Sequence, residues 1–297
     1  MPLFKGVSAF PITPADADGH IDTLALGRLL QRLLDAGVDS IGLLGSTGSY
    51  PYLTRDERRR AMDAALDLVG GRVPVLVGVG ALRTNDAVQF AHDAEAAGAS
   101  AGLLAPVSYT PLTEKEVFVH FQTVAAAVTM PLCIYNNPGT THFSFSNELI
   151  ARLSRLPNIA AVKNPAPEAS RVRAELAVLR AQIPAAFSLG YSADWNAGEA
   201  MLAGGDAWYS VLAGLFPKPC MALHRAAHGG DADTARRLNA ALEPMWALFR
   251  RYSSLRVTYA AARLLGICDA APPRPILPLD ATAEQEIAAV LQALDLD

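Results

Sequence analysis

A lysine closes the short apolar run Ile159-Ala160-Ala161-Val162-Lys163, and an asparagine and a proline follow it at Asn164-Pro165. Four consecutive apolar residues bounded by turn chemistry read as a buried strand. An ammonium drawn into an apolar wall loses hydration, so burial drives its pKa down from about 10.4 toward neutrality. The neutral amine attacks carbonyls, and Schiff-base lysines arise this way. The competing reading is that Val162 ends the buried part and Lys163 carries its charge out to solvent. Two further groups suit carbonyl chemistry. In Gly45-Ser46-Thr47-Gly48 the glycines permit a tight turn, so that hydroxyls and backbone amides converge on an anion. The turn lacks the Lys-Ser/Thr of a phosphate-binding loop, which favours a carboxylate guest over a phosphate. Read alone, it is equally an ordinary glycine-rich turn. Tyr135, after Leu132-Cys133-Ile134, offers a phenol that shuttles protons when a cation sits beside it. Its alternative is a core tyrosine with a satisfied hydroxyl.

Elements that could bring these groups together recur along the chain. Eight short apolar runs, at 6–13, 40–46, 73–79, 100–106, 131–136, 158–163, 185–191 and 206–212, have the near-continuous hydrophobicity of strands buried on both faces of a parallel sheet. Helical periodicity fills the intervals: Leu26, Leu29, Leu30, Leu33 and Leu34 form one apolar stripe. Thr54 with Glu57 and Thr113 with Glu116 have capping-box spacing, and Thr84 and Ser146 read as simpler caps. Gly37, Gly70-Gly71 and Gly98 fall where helices must stop. Eight strand-then-helix units predict a (β/α)8 TIM barrel over 1–228, followed by a C-terminal helical region over 229–297. Three helices are expected in that region, at 231–252, 253–265 and 282–294, the last capped by Thr282 with Gln285. A doubly wound open sheet is the alternative, but no G-x-G-x-x-G opens any helix.

Barrel enzymes place their chemistry at the C-terminal ends of the strands. The residues there are Thr13, Ser46, Thr47, Ser108, Tyr109, Tyr135, Asn136, Lys163, Gly190 and Ser210: an uncharged, hydroxyl-rich ring around one lysine. A two-metal or paired-carboxylate site would need acids at those positions, and none stands there. On the eighth run, Trp208 and Tyr209 either narrow the pocket or pack the barrel. A composition of 51% hydrophobic and 18% charged residues supports a sizeable core. The net charge of −4, with no basic cluster larger than Arg58-Arg59-Arg60, argues against nucleic acid and acidic membranes. No signal-peptide pattern opens the chain, and no apolar stretch is long enough to span a bilayer, so a cytoplasmic protein is expected. Cys133, Cys220 and Cys268 suggest reduced, buried thiols.

Taken together, Thr13-Pro14, Gly45-Ser46-Thr47-Gly48, Tyr135-Asn136-Asn137-Pro138 and Val162-Lys163, in this order at strand ends, resemble the dihydrodipicolinate synthase and N-acetylneuraminate lyase superfamily over essentially the whole chain. The resemblance implies a class I aldolase or dehydratase that needs no metal or organic cofactor. Lys163 would form a Schiff base with a 2-oxo acid such as pyruvate. Ser46, Thr47 and Gly48 would hold the carboxylate, and Tyr135 would move protons. It also implies a homotetramer built as a dimer of dimers, with a tyrosine reaching across the tight interface. Two departures bear on substrate. Thr140 stands where the synthases carry an arginine in Tyr-Asn-x-Pro-x-Arg, and threonine cannot make that arginine's bidentate contact with a second carboxylate. The interface tyrosine's place falls on Ser108, with Tyr109 one residue later. The expected substrates are therefore a 2-oxo acid in aldol cleavage or condensation, or a 2-keto-3-deoxy sugar acid in dehydration, with Gly190 and Tyr209 beside the lysine. The alternatives are a true 4-hydroxy-tetrahydrodipicolinate synthase and a barrel that binds a 2-oxo acid without turnover.

Overall fold

The eight apolar runs become eight parallel strands, closed into a barrel in sequence order, in the computed structural model, which describes residues 3–16 and 18–296. They are β1 Gly6–Ala9, β2 Ser40–Leu43, β3 Val75–Gly78, β4 Ala101–Leu104, β5 Leu132–Tyr135, β6 Ile159–Pro165, β7 Ser188–Ser192 and β8 Ala207–Ser210. β1 pairs with both β2 and β8, which abolishes sheet edges. Two apolar clusters follow from strand alternation. One lies between sheet and helices and takes Val7, Ile41, Ile134, Val162 and Trp208. The other fills the barrel with Phe10, Leu76, Leu103, Cys133, Tyr135, Ala161 and Tyr209.

One irregularity decides where the lysine points. Leu132 pairs with Ile159, but Cys133 pairs with Ala161, so β6 carries one extra residue at Ala160. Because side chains alternate, a single inserted residue exchanges the two faces beyond it. Without that residue Tyr135 would lie beside Val162; with it, Tyr135 lies beside Lys163. Both side chains then enter the barrel.

Most local signals are realised. Thr54–Glu57 and Thr113–Glu116 form reciprocal capping boxes, Ser146 caps its helix through the Leu149 amide, and Gly70 ends Arg55–Val69 in the left-handed conformation. Two caps differ from expectation. Thr84 lies inside the first turn of Thr84–Ala96, and its hydroxyl is 3.0 Å from His120 Nδ1. The last helix, Ala281–Ala293, is capped by Asp280, which accepts from the Ala283 amide, in place of Thr282 with Gln285. With the Asp280 carboxylate on the third amide, Thr282 already lies inside the first turn.

The helix Pro217–His228 completes the eighth unit. Four helices follow where three are expected, because the first divides into Ala232–Ala241 and Glu243–Tyr252. Pro244 lacks an amide hydrogen and suits only a first turn. The helix Ser254–Leu264 returns to the barrel mouth, where the Tyr259 hydroxyl donates to the Thr13 carbonyl at 3.2 Å and lies 3.4 Å from Ser49 Oγ. The tail thereby ties together the loops after β1 and β2. All three cysteines are free and buried. Among the described residues, no helix is long and apolar enough to cross a membrane.

Candidate active site

Lys163 is 3% exposed, and its amine sits among aromatic faces: 3.7 Å from the Phe10 ring centroid, 4.4 Å from that of Tyr135 and 5.8 Å from that of Tyr209. Ring faces carry negative potential and attract a cation without supplying a proton acceptor. Such a wall suits an amine that becomes a cationic iminium and then reverts.

The surrounding strands are shaped for this cage. Gly190 is the β7 neighbour of Lys163, and a Cβ there would lie 2.2 Å from Tyr209 Cε2. Only a hydrogen fits between that strand and the ring. The Tyr209 hydroxyl turns away from the mouth toward Cys133 Sγ at 3.7 Å, and Phe10 meets the Tyr209 ring edge-on at 6.0 Å. Burial raises the Tyr209 phenol well above its ordinary range and pushes the Cys133 thiol up to about 12, so both stay neutral. The Trp208 indole faces the other way and donates to Asp194 at 2.9 Å, which also accepts from the Leu212 amide. Burial raises the Asp194 carboxyl, while those hydrogen bonds and the charge of Lys163 pull it back. Tyr209 thus narrows the barrel beneath the lysine, whereas Trp208 packs outside it.

Above the lysine the groups are polar. Tyr135 Oη lies 2.8 Å from Ser46 Oγ and accepts a hydrogen bond from Asn137 Nδ2 at 2.9 Å. Ser46, Thr47 and Gly48 follow β2 on a turn closed by the Ser49 amide donating to the Ser46 carbonyl. Ser46 is half-buried, and Thr47 and Gly48 are buried. The Asn136 amide donates to the Lys163 carbonyl, and its side chain donates to Asn164 Oδ1 at 3.0 Å. Thr140 is exposed on the short helix Pro138–Thr141, and its hydroxyl donates to the Asn137 carbonyl at 3.3 Å.

The fold therefore gathers Lys163, Tyr135, Ser46, Gly190 and Tyr209 at one mouth, with Thr47, Gly48 and Thr140 on the loops around it. Other strand-end residues do not join them: Ser108 donates its hydroxyl to the Thr110 carbonyl, Tyr109 is 97% exposed on the loop after β4, Asn136 turns to Asn164, and Ser210 turns outward to accept from the Ala213 amide. Phe10 and Asn137 were not singled out as candidates. Two glycines, Gly42 and Gly45, signal Phe10, since a Cβ at either would fall within 2.6 Å of its ring. Asn137 stands two residues beyond Tyr135, immediately before Pro138.

Comparison with known proteins agrees with this architecture. A 4-hydroxy-tetrahydrodipicolinate synthase of Salinibacter ruber is 36% identical over 281 residues, covering 94% of this chain and 91% of that protein. The crystal structure of a dihydrodipicolinate synthase from Agrobacterium tumefaciens is 55% identical, with a TM-score of 0.96 and 98% of each chain covered. A chloride-inhibited dihydrodipicolinate synthase from Acinetobacter baumannii, solved in complex with pyruvate, is 27% identical with a TM-score of 0.91, covering 99% of this chain and 100% of that one. With its eight-stranded barrel, its strand-end lysine and a match to the family model over residues 3–294, the chain belongs to the dihydrodipicolinate synthetase family.

Proposed function

We propose that this protein is a Schiff-base-forming lyase acting on a 2-oxo acid through Lys163. One observation carries the reading: a buried amine caged by three aromatic rings, beside a tyrosine hydroxyl already hydrogen-bonded to a half-open serine. The Lys163 amine attacks the 2-oxo carbon, and the resulting carbinolamine loses its hydroxyl as water after Tyr135 delivers a proton. The iminium then accepts electrons from the bond broken at the neighbouring carbon, giving an enamine. Ser46, Thr47 and Gly48 bind the carboxylate through hydroxyls and turn amides, Gly190 lets the Tyr209 ring close against β7 beside the lysine, and Tyr209 forms the floor. No metal or organic cofactor enters these steps.

The second partner is a neutral, hydroxyl-bearing group. Asn137 and Thr140 offer an amide and a hydroxyl at the mouth, which suits aldol cleavage or dehydration of a 2-keto-3-deoxy sugar acid. The names of the relatives favour a second reading, condensation by a true synthase. Thr140 stands against it, because it brings no cation to a second carboxylate.

The same reading includes a cytoplasmic homotetramer. Free cysteines suit a reducing compartment. Tyr52, Leu82 and Tyr109, on the loops after β2, β3 and β4, leave 47%, 67% and 97% of their surface exposed, a neighbourhood suited to a partner subunit. From there Tyr109 would serve the partner's mouth.

The decisive experiment is intact-protein mass after incubation with pyruvate and borohydride. A gain of one reduced pyruvate, mapped to Lys163, is expected. Absence of an adduct with pyruvate and with larger 2-oxo sugar acids would overturn the reading.

A further inference from the structure

We infer that Asn137 is a positioning residue of the proton relay, fixing the direction in which Tyr135 passes its proton; the inference rests on the Schiff-base reading. Asn137 is the variable residue of Tyr-Asn-x-Pro, and its amide nitrogen lies 2.9 Å from Tyr135 Oη. An amide nitrogen only donates. The phenol oxygen is therefore the acceptor on that side, and its one hydrogen is left for Ser46 Oγ, 2.8 Å away, or for a substrate oxygen. The three side chains form a line within one chain: Asn137 N–H donates to the Tyr135 oxygen, and the Tyr135 and Ser46 hydroxyls share a hydrogen bond in which either can donate.

Local geometry explains why this amide is available. Pro138 keeps the preceding residue out of the helical region, and Asn137 accordingly has φ −138° and ψ 74°. This non-helical backbone sets the side chain within 2.9 Å of Tyr135 Oη. Asn137 also starts the helix Pro138–Thr141, yet its side chain makes no capping bond. Its backbone carbonyl anchors that turn instead, accepting from the Thr140 and Thr141 amides. The side-chain nitrogen thus bonds the tyrosine while the main chain holds the loop.

The chemical consequence falls on dehydration of the carbinolamine. Tyr135 gives its proton to the departing hydroxyl, the C–O bond breaks, and water leaves as the C=N bond forms. The phenolate left behind is held by the Asn137 N–H and is reprotonated by Ser46, whose half-buried hydroxyl regains a proton from solvent. A fixed donor aimed at a transient oxyanion stabilises it without reorganisation.

The test uses the full-length protein, pyruvate as probe, and two variants, Asn137→Asp and Asn137→Ala. Exchange of the pyruvate methyl protons in D2O reports turnover of the iminium, and borohydride trapping reports its formation at equilibrium. In Asn137→Ala, exchange should fall by about tenfold to a hundredfold. Half-saturation by pyruvate should stay within about threefold, and the trapped adduct should persist. Asn137→Asp separates donation from shape. Aspartate is isosteric and at least as good a helix cap, but it offers only acceptors, so exchange should fall at least as far as in Asn137→Ala. Wild-type exchange in Asn137→Asp, or in both variants, would overturn the inference. Failure of the wild-type protein to trap any 2-oxo acid would overturn the Schiff-base reading itself, and the inference with it.

Discussion

The floor and the rim of the barrel mouth are built on opposite principles. Beneath the lysine, Phe10, Cys133 and Tyr209 are essentially unexposed, interlocked and neutral, and the strand beside them carries a glycine because nothing larger fits. Above it, Asn137 is half-buried and Thr140 is exposed, both small polar side chains on the loop that follows β5. The floor has one geometry and no spare room, which suits a step common to every substrate: making and discharging an iminium. The rim can change residue type without disturbing the packing, which fits the role in partner choice proposed for it. A lysine needs a dry, rigid wall to act as a nucleophile, whereas selection among polar partners needs donors and acceptors that are still partly hydrated.

That division predicts a graded set of effects. Lys163→Ala removes the proposed nucleophile, so covalent trapping and turnover should both vanish; residual turnover at the wild-type rate would break the scheme at its centre. Tyr135→Phe keeps the ring beside the amine and removes the hydroxyl. Turnover should drop roughly 10²–10⁴-fold, as for loss of a general acid, while borohydride still traps the 2-oxo acid slowly. Gly190→Ala forces a methyl group into the Tyr209 ring, at a stability cost of about 1–3 kcal/mol. Thermal denaturation should register it, and kcat should fall as Tyr209 and Lys163 shift. An unchanged melting temperature would mean that the floor is softer than its packing implies. Thr140→Arg acts on the rim alone: kcat/KM toward an aldehyde bearing its own carboxylate should rise about tenfold or more, the value of a charge-assisted hydrogen bond. Pyruvate exchange should not respond. If instead Thr140→Arg altered trapping at Lys163, floor and rim would not be separable.

Legibility in the sequence followed the range of the interactions concerned. The eight apolar runs, the two capping boxes and the helix-stopping glycines each depend on neighbours within a few residues, and each is found where the pattern puts it. The same local logic missed the cap of the last helix and the break at Pro244, where two acceptable local solutions compete and packing of the tail selects one. Motif order along the strand ends was sufficient to identify the family and to single out Lys163, Tyr135 and Ser46, which the fold brings together. It placed Ser210 in the same ring, although that hydroxyl faces outward, because strand parity is invisible until register is fixed.

By itself, then, the sequence determined the eight-fold strand and helix alternation, the lysine at the end of the sixth strand and the absence of a cation at position 140, because these are properties of residue type and short-range order. Only the tertiary structure decided which way the decisive side chains point. The extra residue at Ala160 brings Lys163 into register with Tyr135, barrel closure sends Tyr209 inward and Trp208 outward, and the mouth brings Phe10, just past the first strand, against Lys163 and Asn137, beyond the fifth, against Tyr135. Each of these outcomes depends on pairing between distant segments, which composition and periodicity along one segment do not encode.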